Sequence, residues 1–337
     1  LDDNAFDLVH HFIPRGEWFF SVLSHYDDYL AEVKRKPGYE AGDTLKLIVP
    51  FLIAFGVTNE KVKEFSEKRI TFLREAKSAF KWLSQFPIFM ISTSYEQYAF
   101  SVGDELGIPR ESIFCTRIDW DSFFISPSEK EKLRSWAEEI SSLPEIYLPP
   151  NATSLEDLPP TSQKAVKKLD EIIWEGVFSL PGCREVFERV NPIGGREKAA
   201  SLLTAVDCAG FKLSRTIYFG DSITDSEALE LVKKSEGLAV AFNPNRYALR
   251  YADLALLSLS CASLSYLASL FQEGEKDETI EKALRGEKPD DFPEELWQAH
   301  KKSFEKFYDL RVGWKLAVEN CEKYRKRVRG EFVGGLG

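Results

Sequence analysis

A chain of 337 residues with 44% hydrophobic and 13% aromatic content is long enough for a sizeable core and about two structural units, and too apolar for a disordered one. Its net charge of −10 argues against a nucleic-acid binder that works by neutralising phosphates. The longest apolar run, Leu45 to Phe55, is interrupted by Pro50, so no membrane insertion is expected, and no signal-peptide pattern opens the chain. Five widely spaced cysteines lack zinc spacing and fit reduced thiols in a cytoplasmic protein.

Hydrophobic periodicity predicts helices over Asp2–Phe12, Glu17–Glu32, Thr44–Phe55 and Asn59–Phe80, with Thr58 or Asn59 capping the last. Pro14, Pro37-Gly38 and Gly56 punctuate them. His10, His11 and His25 have no acidic or cysteine partner at ligand spacing and read as ordinary surface or half-buried residues. The pair Asp27-Asp28, flanked by Tyr26 and Tyr29, reads as an exposed polar helix face.

Phe86 to Thr93 is a continuous apolar run ending in hydroxyls, the pattern of a strand buried on both faces of a parallel sheet. Ser92, Thr93 and Ser94 then stand where a helix beginning near Tyr95 exposes free N–H groups, which suits an anion as well as a simple N-cap. That helix runs to Leu106, stops at Gly107, and is followed by a strand near Ser112–Thr116. Residues 117 to about 190 change character. Pro149-Pro150 and Pro159-Pro160 mark an irregular insertion between amphipathic helices at Ser128–Ser141 and Ser162–Glu175, either a small module or a solvated linker.

Gly194-Gly195-Arg-Glu-Lys198 opens a helix to about Gly210, with a lysine in the first turn, where the helix dipole prefers acids. Thr216 to Phe219 is a β-prone run that breaks at Gly220 and delivers Asp221 and Asp225, before a helix over Ser226–Lys234. Such a turn, at the carboxyl end of a strand, is where ligands sit in open α/β sheets. Its two carboxylates can converge on magnesium. Without a metal, Asp221 opens a loop and Asp225 caps the next helix. Short strands at Leu238–Phe242, before Asn243, and at Leu254–Leu257 complete a βαβ pattern and a parallel sheet. After Gln272 the chain reads as polar and helical, a tail that packs on the core or contacts a protein partner, and Gly334 to Gly337 read as frayed.

The pieces Ile91-Ser92-Thr93-Ser94, Gly194 to Lys198, Gly220-Asp-Ser-Ile-Thr-Asp225, Ala239 to Asn243 and Tyr251-Ala-Asp253, in this order, resemble the haloacid dehalogenase (HAD) superfamily, and within it an archaeal phosphatase-like group. The resemblance covers about residues 86–260 with a cap before Ser92. It implies a Rossmann-like three-layer α/β fold, divided into a helical cap and core entry (1–82), the core (83–116 and 190–271), a second insertion (117–189) and a helical tail (272–337). It also implies a magnesium-dependent phosphohydrolase that forms an aspartyl-phosphate on a small phosphorylated substrate. Ser92, Thr93 and Asn243 would bind that substrate. Lys198 would neutralise charge at the phosphoryl group. Asp221 and Asp225 would hold Mg2+, with Ser92, Lys198 and Asp221 forming the catalytic set.

The family's nucleophile motif, Asp-x-Asp-Gly-x-Thr on a first strand, does not occur upstream of Ser92. Asp2 and Asp3 follow no apolar strand and read as a helix cap. In the family that strand is central, in the order 5-4-1-2-3, and its loss would strip partners from buried backbone groups. The chain opens on Leu1 and its only methionine is Met90, so about ten to fifteen further residues carrying the nucleophile are expected in front. The competing expectation is a catalytically inactive HAD-fold subunit of a larger complex. A third is phosphoryl transfer to an acceptor other than water.

Overall fold

The computed structural model of the chain describes residues 4–330 and Gly334, so Asp2, Asp3 and the last three residues of the terminal glycine run lie outside the described residues. It is a mixed α/β protein with a large helical body and two separate sheets. Among the described residues no helix is long and apolar enough to cross a membrane.

The first four helices are α1 (Asn4–Phe12), α2 (Gly16–Asp28), α3 (Thr44–Ala54) and α4 (Asn59–Lys68). Thr58 caps α4, its hydroxyl accepting from the Lys61 N–H at 3.3 Å. Helix α3 is apolar on nearly every side, and accordingly all but one of its residues are buried. The segment 59–80, expected as one helix, breaks after Lys68. It runs extended through Phe72 and restarts after a left-handed Glu75 as α5 (Ala76–Leu83).

The insertion contributes α7 (Pro127–Ile140), α8 (Pro160–Asp170) and α9 (Pro181–Arg189), which follow α6 (Glu96–Leu106). A capping box between Ser126 and Glu129 and Pro127 in the first turn start α7. Buried residues from Ala5 to Phe65 and from Ile118 to Val190 belong to one apolar cluster. The two segments expected as separate caps therefore share a single core, and the solvated-linker alternative for 117–189 is excluded.

The sheets hold β1 (Met90–Tyr95) parallel to β2 (Ile113–Thr116), and β3 (Ile217–Gly220), β4 (Leu238–Phe242) and β5 (Leu254–Ser258) in parallel succession. Helices α10 (Gly195–Ala209), α11 (Ser226–Lys234) and α12 (Arg246–Tyr251) lie between these strands in sequence. Alternation along β4 sends Ala239 and Ala241 into one cluster with α11 and α12, and Leu238 and Val240 into another with α13 (Ala262–Glu273). The tail is not purely helical. After α14 (Lys276–Arg285) and α15 (Glu294–Ser303), β6 (Phe304–Asp309) pairs antiparallel with β5, and α16 (Val318–Arg329) follows. Its mixed charge hid β6, an edge strand whose exposed Glu305 and Lys306 suit a strand with one open side.

Among the described residues β1 pairs with β2 alone, and β3 with β4 alone, yet Met90–Ser94 and Phe219–Gly220 line one cavity of about 480 Å³. Five of the six β1 residues are only half-buried, whereas all five of β5 are buried. Two sheet edges thus face a common gap. Alternate amides of β1 and β3, those not bonded to β2 or β4, are expected to exchange hydrogen far faster than the doubly paired amides of β5. Uniform protection across the three strands would refute the open edges.

Candidate active site

Everything at the site is built around the turn after β3. Gly220 is required there, since a Cβ would stand 2.5 Å from the Asp225 Cβ. Asp225, 3% exposed, folds back into the turn it closes. Its Oδ2 accepts from the N–H groups of Asp221 (3.1 Å) and Ser222 (3.2 Å) and from the Ser222 hydroxyl (3.2 Å). Its Oδ1 accepts from Lys198 Nζ at 2.7 Å and the Tyr218 hydroxyl at 2.8 Å. Lys198, in the first turn of α10, is itself 6% exposed, so its place against the helix dipole is explained by a buried ion pair.

Asp221 points the other way. Its Oδ2 accepts from Arg325 Nη1 at 2.5 Å and Arg329 Nη1 at 2.7 Å, both from α16. Arg325, 2% exposed, also donates to the carbonyls of Asp221 (3.0 Å) and Asn243 (3.2 Å). Burial alone would raise the Asp221 pKa, but the fields of Arg325 and Arg329 and the Arg325 hydrogen bond outweigh it, holding this carboxyl well below the usual range.

Ser92, Thr93 and Ser94 line the same cavity from β1. The Ser92 hydroxyl accepts from the Ser94 N–H at 3.2 Å, and Thr93 Oγ1 lies 3.4 Å from Thr224 Oγ1, joining the two motif turns. Asn243 departs from the role expected of it. Its amide is spent on Ser258, donating to that carbonyl at 2.8 Å and accepting from that N–H at 3.0 Å. What it offers the site is the carbonyl held by Arg325. Its positive φ of 47° turns the chain so that both ends can be used.

The helical body closes the cavity from the other side. Gly42 has φ of 95°, and a Cβ on it would lie 3.1 Å from the methyl groups of both Thr93 and Thr224. Asp27 and Asp28 line this wall at the end of α2, where the helix loosens into a π-helical turn, Tyr29–Val33. They are buried, each 4% exposed, rather than on the polar face expected for them. Asp27 accepts from the Tyr39 hydroxyl (2.6 Å), the Thr44 N–H (3.0 Å) and the Gly42 N–H (3.0 Å). Burial, only partly offset by those bonds, pushes its pKa up to about 6. Burial, with the charges of Asp27 and Glu32, raises Asp28 well above the carboxylate range.

These contacts decide how the donors fit a magnesium ion. Asp225 has both oxygens filled by five protein donors and serves its own turn and Lys198; it does not cap the following helix as expected, since its side chain makes no hydrogen bond to the first turn of α11. Asp221 keeps Oδ1, which no described donor reaches, as a ligand. Among the described residues no group of three or more acidic, histidine or cysteine side chains is arranged around a metal. A divalent cation therefore finds one free carboxylate oxygen on this turn and needs further ligands from elsewhere.

No family model and no curated protein matches the sequence. A solved structure does, the gene product AF1437 from Archaeoglobus fulgidus, 30% identical with a TM-score of 0.79 over all of this chain and 95% of that one. The chain belongs to the same family as that archaeal protein. Because the match spans the whole chain, the helical body, the sheets and the arginine-bearing tail all fall within the aligned region of this family.

Sequence reasoning placed Ser92, Thr93, Lys198, Asp221 and Asp225 at one site, and they do meet there. It missed Arg325 and Arg329, which lie about a hundred residues from Asp221 in a charged helix with no motif around them.

Removing one partner of a buried ion pair leaves a stranded charge. Asp225→Asn is therefore expected to cost about 3–5 kcal/mol in urea unfolding, with Asp221→Asn milder because that carboxylate is partly exposed. Equal, small losses would show that the Lys198 pair is not structural. The raised carboxyl of Asp27 gives a second expectation. Between about pH 4 and pH 6 the folded chain holds a proton that the unfolded chain has released, so stability declines as pH rises through that window, by up to about 3 kcal/mol from this group. Asp28 shifts the same way, while the depressed Asp221 acts only below about pH 4. Asp27→Asn should flatten the decline of melting temperature across that window, and an unchanged slope would count against it.

Proposed function

We propose that the chain is a magnesium-dependent phosphohydrolase of the HAD superfamily, cleaving a small phosphomonoester through an aspartyl-phosphate whose nucleophilic aspartate lies upstream of Leu1. One observation carries the reading. Ser92 and Thr93, the Lys198–Asp225 pair and Asp221 converge on a single cavity, and that cavity is bordered by two strand edges without partners. The strands run β2-β1, gap, β3-β4-β5-β6, the last antiparallel. A parallel strand in the gap would give the order of the HAD core, flanked by helices in the Rossmann-like three-layer manner, and would deliver its carboxyl end beside Ser92 and Asp221.

The chemistry follows from where charge develops. A phosphate dianion approached by a carboxylate needs compensating positive charge and donors. Lys198 is held at the cavity by Asp225, its position fixed before substrate arrives. The Ser92 hydroxyl can turn from its local bond to donate to a phosphoryl oxygen. Asp221 can offer Oδ1 to Mg2+, which when bound supplies Lewis-acid stabilisation of the phosphoryl oxygens and orients them for in-line attack. The net reaction is ester plus water giving alcohol and phosphate.

The full-length protein is expected to hydrolyse members of a phosphomonoester panel with magnesium and to stop in chelator. Lys198→Met and Asp221→Asn should each lower kcat about 100-fold or more with their fold retained by circular dichroism. Undiminished turnover in either variant, or none on any ester, would sink the proposal. A second reading has its own support: Arg325 and Arg329 already neutralise Asp221, as suits an inactive member that keeps the fold and binds a protein partner through its tail. Absence of turnover together with stable co-purification of a partner would favour it.

A further inference from the structure

The cavity has two walls of opposite character. On the sheet side stand three cations, Lys198, Arg325 and Arg329, against two carboxylates, Asp221 and Asp225, so the wall carries an excess of positive charge. On the cap side stand Asp27 and Asp28, with Glu32 close enough to act on Asp28 and Arg246 as the cation facing it. That arginine is already paired with Glu322 at 3.3 Å.

The two aspartates differ in one respect that matters. Asp27 has its oxygens filled by Tyr39, Thr44 and Gly42 and serves to hold the loop over the site. Asp28 is equally buried and lines the cavity, but no described donor reaches its carboxyl group. Its oxygens stay open to the cavity, so water or a bound molecule, and no described side chain, supplies their donors. The walls are also close. Gly42, whose N–H is bound by Asp27, packs on the methyl groups of Thr93 and Thr224, so a molecule of metabolite size can touch both.

We infer that Asp28 is the receptor for a protonated amine on the substrate, and that the site takes a small zwitterionic phosphomonoester, phosphoryl group on the Lys198 side and ammonium on the Asp28 side. The assignment rests on the phosphohydrolase reading for the phosphoryl end alone. An ammonium supplies the donors and the charge that Asp28 lacks: as it binds, the carboxyl releases to solvent the proton that burial otherwise holds on it, and a hydrogen-bonded ion pair forms.

The test uses three inert phosphonates of matched length with the full-length protein in magnesium: 3-aminopropylphosphonate, 3-hydroxypropylphosphonate and butylphosphonate, titrated calorimetrically. The amine is expected to bind at least 10-fold more tightly than the butyl compound. Asp28→Asn should bring the two within about threefold. Failure of the amine to bind, equal binding of the wild-type protein to amine and butyl compounds, or a preference that survives Asp28→Asn would each overturn the assignment. The wild-type comparison decides even if the variant does not fold. The two readings separate cleanly. Amine preference without hydrolysis of 2-aminoethyl phosphate keeps the receptor and sinks the phosphohydrolase, and hydrolysis without amine preference does the reverse.

Discussion

The Asp225 carboxylate ties the site together. One group, buried with hardly any exposure, accepts from the backbone of its own turn, from Tyr218 within β3 and from Lys198 on α10. A carboxylate in such a place is tolerated only because five donors replace its water shell. In return it fixes three elements to one another with little freedom. The lysine stands at the cavity because Asp225 holds it, and the turn can present Asp221 outward because Asp225 turns inward. Glycine at 220 is part of the same arrangement, since the carboxylate lies where a side chain would be.

Around this knot the protein leaves polar groups deliberately unevenly supplied. Asp221 has two guanidinium partners and Asp28 has no described one, although both face one cavity. The arginines come from the last helix, so the tail is bound to the centre of the fold rather than hung from it. The cap reaches the same point through Gly42. The site is shared by the helical body, both sheets and α16.

Much of the arrangement is local and was legible in the sequence. Alternating strand and helix patterns between residues 86 and 260, the break at Gly220, and hydroxyls after one apolar run and acids after another are consequences of nearest neighbours along the chain. They placed Ser92, Lys198 and Asp221 on strand ends and a helix start that must meet if the sheet is parallel. Asp225 read as a cap for the helix after it, whereas its carboxylate closes the turn before it, onto Ser222. Strand β6 was not legible, because a two-sided polar pattern on an edge strand looks like a solvated helix until β5 is there to pair with it.

What only the tertiary structure decided depends on contacts between distant segments. Nothing near Arg325 in sequence says that it will be buried against Asp221, and nothing near Asp28 says that its helix face turns inward. The fusion of residues 5–65 and 118–190 into one core is likewise a matter of which apolar stripes find each other. Periodicity specifies that a helix has a face to bury. The partner for that face, and so the charge a buried side chain will meet, is set by packing across the whole chain.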